Sequence, residues 1–210
     1  LCDGVQVTFS DAGHLLGSAS ITVEATENGV TKTIVFSGDI GNLNQPIIRD
    51  PVLLTRGDYV VMESTYGDRD HAEVWSYTSE LAKVIDRTLG RGGNVVIPAF
   101  AVGRTQELLY FLRRIKQEHL VHSVKDFPVY IDSPLASKAT TIFCGDLQGY
   151  LDDEALALVK DGTDMFSFPG LRLTESLEES KQLNMDPTPK VIISASGMCD
   201  AGRVRHHLKH

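Results

Sequence analysis

The stretch NVVIPAFAVGRTQELLYFL, residues 94–112, decides the fold class of this chain. Its first part, Asn94 to Pro98, is a short apolar run of the kind that forms a buried strand. A glycine-containing turn follows, and helical spacing then appears in the apolar residues Leu108, Leu109, Leu112 and Ile115. A buried strand that turns into a helix is the unit from which parallel sheets covered by helices are built.

The same alternation continues on both sides of this stretch. Helical spacing runs from Val74 to Leu89, ahead of it. Behind it, Pro128 to Asp132 favours a strand, and Ser133-Pro134 favours a helix start, with serine as the N-cap and proline at the first helical position. Lys190 to Ala195 favours another strand. The sequence therefore predicts an α/β fold with a parallel sheet flanked by helices, in which ligands bind beyond the carboxyl ends of the strands.

Residues 1–65 favour a different, β-rich arrangement. Asn28-Gly29 is a hairpin turn signal between two alternating segments. The stretch 41–56 carries two prolines and is predicted to be a loop with at most a short helix. The predicted strands are Val5–Phe9, Ser20–Glu24, Thr33–Phe36 and Asp58–Met62.

Composition excludes several classes of protein. Of the 210 residues, 42% are hydrophobic and 23% charged, which argues against wholesale disorder. No apolar run approaches the roughly 20 residues of a membrane span. The three cysteines have no CxxC spacing and indicate reduced thiols, so we expect a cytoplasmic protein. The chain begins with Leu1 and ends on an uncapped helical pattern, so we expect a piece of a longer protein.

Charge is distributed unevenly along the chain. The net charge of −8 argues against a general nucleic-acid binder. However, the segment 86–116 has six basic and two acidic side chains, and the segment 190–210 has four and one. Each contains a Gly-Arg pair, Gly103-Arg104 and Gly202-Arg203. These basic segments favour contacts with phosphate, although a solvated helix face explains Arg113, Arg114 and Lys116 equally well.

Three polar residues follow the predicted strands of the β-rich part. His14 lies in a turn between Gly13 and Gly17, Asp39 follows one strand, and Glu63 follows another. Taken singly, a surface histidine or a turn aspartate is the simpler interpretation. Together they match the way in which a metal-dependent hydrolase places its ligands and their supporting groups.

Six segments, in order, carry a resemblance to a known family. They are AGHLLGSA around His14, SGDIG around Asp39, ESTYGDR from Glu63, IPAFAVGRTQELL at 97–109, YIDSPLASK at 130–138 and SASGMCDAGRVRHH at 194–207. The chain resembles the β-CASP branch of the metallo-β-lactamase fold, which comprises zinc-dependent nucleases of RNA and DNA processing.

The resemblance implies the domain organisation and the chemistry. Residues 1–65 would form part of a metallo-β-lactamase αββα sandwich, and residues 66–210 a β-CASP domain. The intact protein would hold two Zn2+ ions, with His14 as a ligand and Asp39 bridging the metals. Glu63 would orient a catalytic histidine that this chain lacks. The predicted activity is hydrolysis of RNA phosphodiester bonds, as an endonuclease or a 5′ exonuclease.

The chain also departs from the family pattern. The HxHxDH motif and two later histidine motifs are absent, so we expect an incomplete zinc site and no activity from this chain alone. The terminal residues His206, His207 and His210 are predicted to lie on a solvated helix instead of binding a metal.

Nucleic-acid contacts are implied in the β-CASP part. The resemblance assigns them to Arg104, Ser133, Lys138 and Arg203, and to backbone amides around Gly197 and Gly202. For Arg203, local pairing with Asp200 is the alternative. Contacts with phosphate and sugar carry little sequence information, so low sequence specificity is expected.

The expected partner is RNA. Single-stranded DNA and a homodimer remain open, and no membrane is involved. Two other functions also remain open, a non-catalytic nucleic-acid-binding scaffold and a small-molecule hydrolase of the lactamase fold. The helix-strand segment 72–210 argues against the small-molecule hydrolase.

Overall fold

A computed structural model describes residues 2–69, 76–145, 147 and 149–210. The chain divides into two compact units. The first unit comprises Leu1–Glu73 and Gln148–Ala157, and the second unit comprises Val74–Leu147 and Leu158–His210. Among the described residues, no helix combines the length and the apolar character that crossing a membrane requires.

The first unit is built on a four-stranded sheet with the order β1-β2-β3-β4. The neighbours β1 and β2, and β2 and β3, are antiparallel, whereas β3 and β4 are parallel. Asn28 and Gly29 have φ values of 50° and 78°, which confirms the predicted two-residue hairpin between β2 and β3. The strands are Val5–Asp11 (β1), Ala19–Glu27 (β2), Val30–Phe36 (β3) and Tyr59–Val61 (β4).

The predicted loop between β3 and β4 is confirmed, but none of its residues is helical. Instead, Ile48 forms an isolated antiparallel bridge with Leu151. The amide of Asp152 donates to the carbonyl of Ile47 at 3.0 Å. This loop therefore satisfies part of its backbone against a segment about a hundred residues away, a pairing that local sequence patterns do not encode.

The second unit contains a parallel sheet with the order β5-β8-β6-β7. This confirms the predicted fold class. Every residue of the two central strands, β6 and β8, is buried, as expected for near-continuous apolar runs in a parallel sheet. The short strand β7 was not predicted, because three residues are too few to produce a periodic pattern. The strands are Val95–Pro98 (β5), Val129–Asp132 (β6), Leu171–Leu173 (β7) and Val191–Ser194 (β8).

Helices follow the strands as the sequence predicts. The α3 start is confirmed, because the Ser133 hydroxyl accepts a hydrogen bond from the Ala136 amide and Pro134 is the first helical residue. The predicted start of the first helix, Val74, lies outside the described residues. The helices are Tyr77–Gly90 (α1), Arg104–Gln117 (α2), Pro134–Phe143 (α3), Asp153–Lys160 (α4), Leu177–Met185 (α5) and Val204–His207 (α6).

The helix α5 was not predicted, although its sequence contains a signal for it. The Ser176 hydroxyl accepts from the Glu179 amide at 3.1 Å, and the Glu179 carboxylate accepts from the Ser176 amide at 3.0 Å. A serine followed three residues later by glutamate is the sequence signature of this capping box. The helix is otherwise poor in apolar residues, so periodicity alone did not indicate it.

Candidate active site and nucleic-acid interface

The sheet of the first unit brings His14, Asp39 and Glu63 to one edge. The strands β3 and β4 are parallel neighbours, so the residues that follow them leave the sheet on the same side. Asp11, the last residue of β1, pairs with Ala19 at the start of β2, while Phe36 at the end of β3 pairs with Ile21. The carboxyl ends of β1, β3 and β4 therefore share one edge, and His14, Asp39 and Glu63 follow these strands.

The loops that carry His14 and Asp39 touch through their backbones. The amide of Gly41 donates to the carbonyl of Ala12 at 2.8 Å. A Cβ atom at position 41 would overlap the carbonyl of Gly13, so only glycine permits this approach. The hydroxyl of Ser18 accepts from the His14 amide at 3.1 Å and closes the turn. The side chains of His14 and Asp39 are exposed, on loops whose backbones these contacts hold.

Glu63 supports the Asp39 loop directly. Its Oε1 atom accepts from the amide of Ile40 at 2.6 Å, one residue after Asp39. The Glu63 amide in turn donates to the Ser37 hydroxyl at 3.1 Å, and the Ser20 hydroxyl donates to the Ser37 carbonyl at 2.7 Å. The half-buried Glu63 carboxylate thus positions the segment that carries Asp39, a contact that the sequence did not indicate.

The side chains at this edge provide only part of what a zinc centre needs. Imidazole and carboxylate are suitable zinc ligands, and His14 and Asp39 supply one of each. A catalytic zinc site takes three protein ligands. Among the described residues, no group of three or more histidine, cysteine, aspartate or glutamate side chains is placed to hold a metal. The described residues therefore do not complete a zinc centre.

In the second unit, three strand ends lie side by side. Ser194 at the end of β8 pairs with Pro98 of β5 on one side and with Asp132 of β6 on the other. The segments that follow these strands contain the residues that the sequence assigned to nucleic-acid contacts. Gly197 packs against the loop after β5, because a Cβ atom there would lie 3.1 Å from the ring of Phe100.

Asp132 is the centre of a buried polar cluster. It is 1% exposed, and both carboxylate oxygens accept hydrogen bonds. Oδ1 accepts from the Arg203 guanidinium at 2.7 Å, and Oδ2 accepts from the Ser180 hydroxyl at 2.6 Å and lies 2.7 Å from His207 Nε2. We call Asp132, Ser180, Arg203 and His207 the Asp132 cluster. Sequence reasoning did not single out Asp132, because a strand-end aspartate does not reveal its distant partners.

The electrostatics of Asp132 follow from these contacts. Burial raises the pKa of its carboxyl, because an apolar surrounding disfavours the charged form. Hydrogen bonds from His207, Ser180 and Arg203 lower the pKa by more than burial raises it. The net pKa of Asp132 lies below its usual value, so the carboxylate is charged at neutral pH.

Arg203 is only partly available to a ligand. Its side chain is 17% exposed, and beyond Asp132 it donates to the carbonyls of Thr174 at 3.3 Å and Glu175 at 2.9 Å. Local pairing with Asp200, the alternative considered for this residue, is not what the structure shows, because Arg203 pairs with the distant Asp132 and the Asp200 carboxylate accepts from Ser196. A phosphate contact by Arg203 stays a prediction.

The other predicted contact residues differ in exposure. Arg104 is 60% exposed and pairs with Glu107 on its own helix at 2.5 Å. Lys138 on α3 is exposed, whereas Ser133 is buried and its hydroxyl caps that helix. Gly202 has a φ of 77°, and a Cβ atom there would lie 2.5 Å from the Ala195 carbonyl oxygen, so this position requires glycine.

His207 corrects the prediction of a solvated terminal helix. It is buried, and its Nδ1 lies 2.7 Å from Asn184 Oδ1 on α5. His206 and His210 are exposed, as predicted. The spacing offered a signal, because His207 follows the buried Val204 by three residues and so shares its helix face.

Comparison with known proteins identifies the class. The β-CASP domain family matches residues 105–210, half of the chain. The chain therefore belongs to the β-CASP family, as the resemblance of its six segments indicated.

Individual relatives match nearly the whole chain. It is 38% identical to Ribonuclease TTHA0252 of Thermus thermophilus over 206 residues, which are 98% of this chain and 46% of the relative. It is 32% identical to Transcription termination factor FttA of Methanosarcina mazei, covering 98% of this chain and 32% of the relative. It is 29% identical to Endoribonuclease YSH1 of Yarrowia lipolytica, covering 99% and 24%. The chain spans less than half the length of these relatives.

Proposed function

We propose that this chain is part of a ribonuclease that hydrolyses RNA phosphodiester bonds. The observation that carries the proposal is the single edge of the first sheet that gathers His14, Asp39 and Glu63. Relatives named as ribonuclease and endoribonuclease support RNA as the substrate. Residues 1–65 would then be the lactamase part and residues 66–210 the β-CASP part.

We propose further that the intact protein is zinc-dependent. His14 and Asp39 would contribute an imidazole and a carboxylate to a two-zinc centre, with Asp39 bridging the ions. The remaining ligands would come from outside the described residues. Glu63 would act on the same centre by fixing the Asp39 loop through the Ile40 amide. A cytoplasmic location accompanies this proposal, because it matches the reduced cysteines.

RNA would be held by the second unit. The exposed cations Arg104 and Lys138 would contact phosphates, together with the backbone amides of Gly197 and Gly202. The buried Ser133 and the partly buried Arg203 would contribute where the RNA approaches them. Backbone contacts of this kind predict cleavage with little sequence preference. Single-stranded DNA as a substrate and a homodimer remain predictions of the sequence.

One cleavage assay separates the candidate functions. The intact protein is incubated with an end-labelled RNA, with DNA of the same sequence, and with a chromogenic lactam and ester. We expect RNA cleavage that stops when a chelator removes zinc and resumes when zinc is added. Binding of RNA without cleavage would identify a scaffold and overturn the proposal, as would turnover of the lactam or ester alone. The product lengths distinguish internal cleavage from trimming at the 5′ end.

A further inference from the structure

We infer that Asp132 is a positioning residue that sets the shape of residues 195–202, here called the glycine loop, and thereby the affinity for RNA. This inference rests on the proposed function for its RNA readout. The structural part of the inference, that one buried carboxylate holds the loop, rests on hydrogen bonds alone.

The glycine loop is anchored to residue 132 at both ends. At its entry, the hydroxyl of Ser194 donates to the backbone carbonyl of Asp132 at 3.1 Å. At its exit, the guanidinium of Arg203 donates to the Asp132 carboxylate at 2.7 Å. Residue 132 therefore holds both ends of the loop, beside the direct hydrogen bond from the Val204 amide to the Ala195 carbonyl at 3.3 Å.

The Asp132 cluster also connects the surrounding elements. Arg203 reaches past Asp132 to the carbonyls of Thr174 and Glu175, which follow β7. His207 on α6 lies between Asp132 and Asn184 of α5. Loss of the carboxylate would leave a guanidinium, an imidazole and a hydroxyl without their common charged partner. The loop exit would then be held through Arg203 by the two carbonyls alone.

The other hydrogen bonds that hold the loop are mostly long, including 3.3 Å from the Val204 amide to the Ala195 carbonyl and 3.4 Å from the Arg205 guanidinium to the Asp200 carbonyl. The internal hydrogen bonds of the loop are long as well, with 3.4 Å from the Ser196 amide to the Ala201 carbonyl and 3.2 Å from the Cys199 amide to the Ser196 carbonyl. The Ser196 hydroxyl donates to the Asp200 carboxylate at 2.6 Å near the solvent. Within the part of the chain that the structure describes, the amides of Gly197 and Gly202 donate no hydrogen bond to protein. The direction of these N–H groups therefore depends on the backbone conformation of the loop.

A positioning role explains why a charged cluster occupies this place. Burying an ion pair seldom stabilises a fold more than apolar residues of the same volume would, because both charges lose their water. A fixed carboxylate with several directed donors does, however, select one geometry. We therefore expect the main consequence of losing this charge in the arrangement of the glycine loop.

The test combines a spectroscopic and a kinetic readout in the intact protein. Met198 lies in the glycine loop and is 72% exposed, so its labelled methyl group reports on the loop in a 13C–1H spectrum. Buried Met165 serves as an internal reference. For Asp132→Asn we expect the Met198 signal to shift or broaden while the Met165 signal stays in place. We expect KM for RNA to rise about tenfold or more, because the loop that would contact RNA is no longer held in one arrangement by its charged anchor, while kcat changes less than twofold.

Two further variants keep the test decisive. Ser180→Ala removes one donor to Asp132 and should give a smaller effect in the same direction if Asp132→Asn does not fold. Ile85→Ala destabilises the second unit at a fully buried site on α1, away from the Asp132 cluster. If Ile85→Ala moved Met198 and KM as Asp132→Asn does, or if Asp132→Asn moved neither, the inference would be overturned. If the wild-type protein did not cleave RNA, but Asp132→Asn still shifted the Met198 signal, the proposed function would be contradicted and the positioning role would stand.

Discussion

Burying the carboxylate of Asp132 removes it from water, and the cost is several kcal/mol unless donors replace the lost hydrogen bonds. Here Arg203, Ser180 and His207 replace them, and the pKa of Asp132 falls below its usual value. The same three partners were far from Asp132 in the sequence. The charge state of Asp132 therefore depends on contacts with residues about 50 to 75 positions away in the sequence.

The lowered pKa of Asp132 predicts a specific acid sensitivity. A group whose pKa is lower in the folded state stabilises the fold above its unfolded pKa, about 3.9 for aspartate, and this contribution is lost as the pH falls through the folded pKa. The free energy of unfolding should therefore fall less steeply below about pH 4 in Asp132→Asn than in the wild-type protein. Chemical denaturation between pH 7 and about pH 2 measures this.

The control is Asp161→Asn, which changes an exposed aspartate in the same unit. Its pH dependence should match that of the wild-type protein. Identical slopes for Asp132→Asn and the wild-type protein would mean that the Asp132 cluster does not hold the carboxylate in its charged form.

At the scale of elements, glycines with a positive φ occupy turns next to helices, before α6 and after α4. Gly202 combines a positive φ with a crowded surrounding, because it approaches the Ala195 carbonyl closely. Gly162, after α4, has a similar φ of 73° and open space around it. Alanine substitutions at the two positions therefore distinguish two contributions to the loss of stability. One comes from the positive φ, which both positions share, and the other from the steric overlap, which occurs only at Gly202.

We predict that Gly202→Ala destabilises the protein more than Gly162→Ala. The change at Gly162 should cost about 1 kcal/mol, since only the left-handed backbone opposes it. Gly202→Ala should cost at least about 1 kcal/mol more, because the new Cβ must displace the backbone at Ala195. Equal losses of unfolding free energy in chemical denaturation would indicate that the glycine loop moves aside without cost.

Elements also differ in how far the sequence predicts them. The strands β5, β6 and β8 are continuous apolar runs, and the Ser133-Pro134 helix start and the Asn28-Gly29 turn are strong local signals, so these were predicted correctly. The strand β7 and the helices α4 and α5 lack such periodicity. His14, Asp39 and Glu63 were predicted from strand ends and a resemblance. The Asp132 cluster was not, because its bonds depend on tertiary packing that no local pattern records.

At the scale of the whole molecule, exposed cations occur in the second unit of a chain whose net charge is acidic. The net charge is −8, yet Arg104 and Lys138 are exposed on the helices that follow β5 and β6. Arg203, the arginine of the second Gly-Arg pair, donates hydrogen bonds to Asp132 and to two backbone carbonyls. The exposed cations are therefore the stronger candidates for phosphate contacts.

Salt dependence of RNA binding distinguishes the two arginines. Arg104→Ala should weaken binding to unrelated RNA sequences equally and reduce the slope of log affinity against log salt by about 0.7, the value for one contact with a single strand. Arg203→Ala should change the slope less, because the Arg203 side chain is mostly buried and donates to Asp132 and two carbonyls, whereas Arg104 is largely exposed beside its partner Glu107. An equal or larger change for Arg203→Ala would mean that Arg203 contacts phosphate, as the sequence alone predicted.

If the edge that carries His14, Asp39 and Glu63 takes part in RNA hydrolysis, Asp39→Asn should slow cleavage by the intact protein. The amide keeps the size of the side chain and removes the carboxylate, while Asp3→Asn changes an exposed aspartate at the opposite end of β1. In single-turnover cleavage of a labelled RNA, we predict that Asp39→Asn is more than about 100-fold slower, with RNA affinity unchanged, and that Asp3→Asn matches the wild-type protein. Cleavage by Asp39→Asn at close to the wild-type rate would remove this edge from the active site.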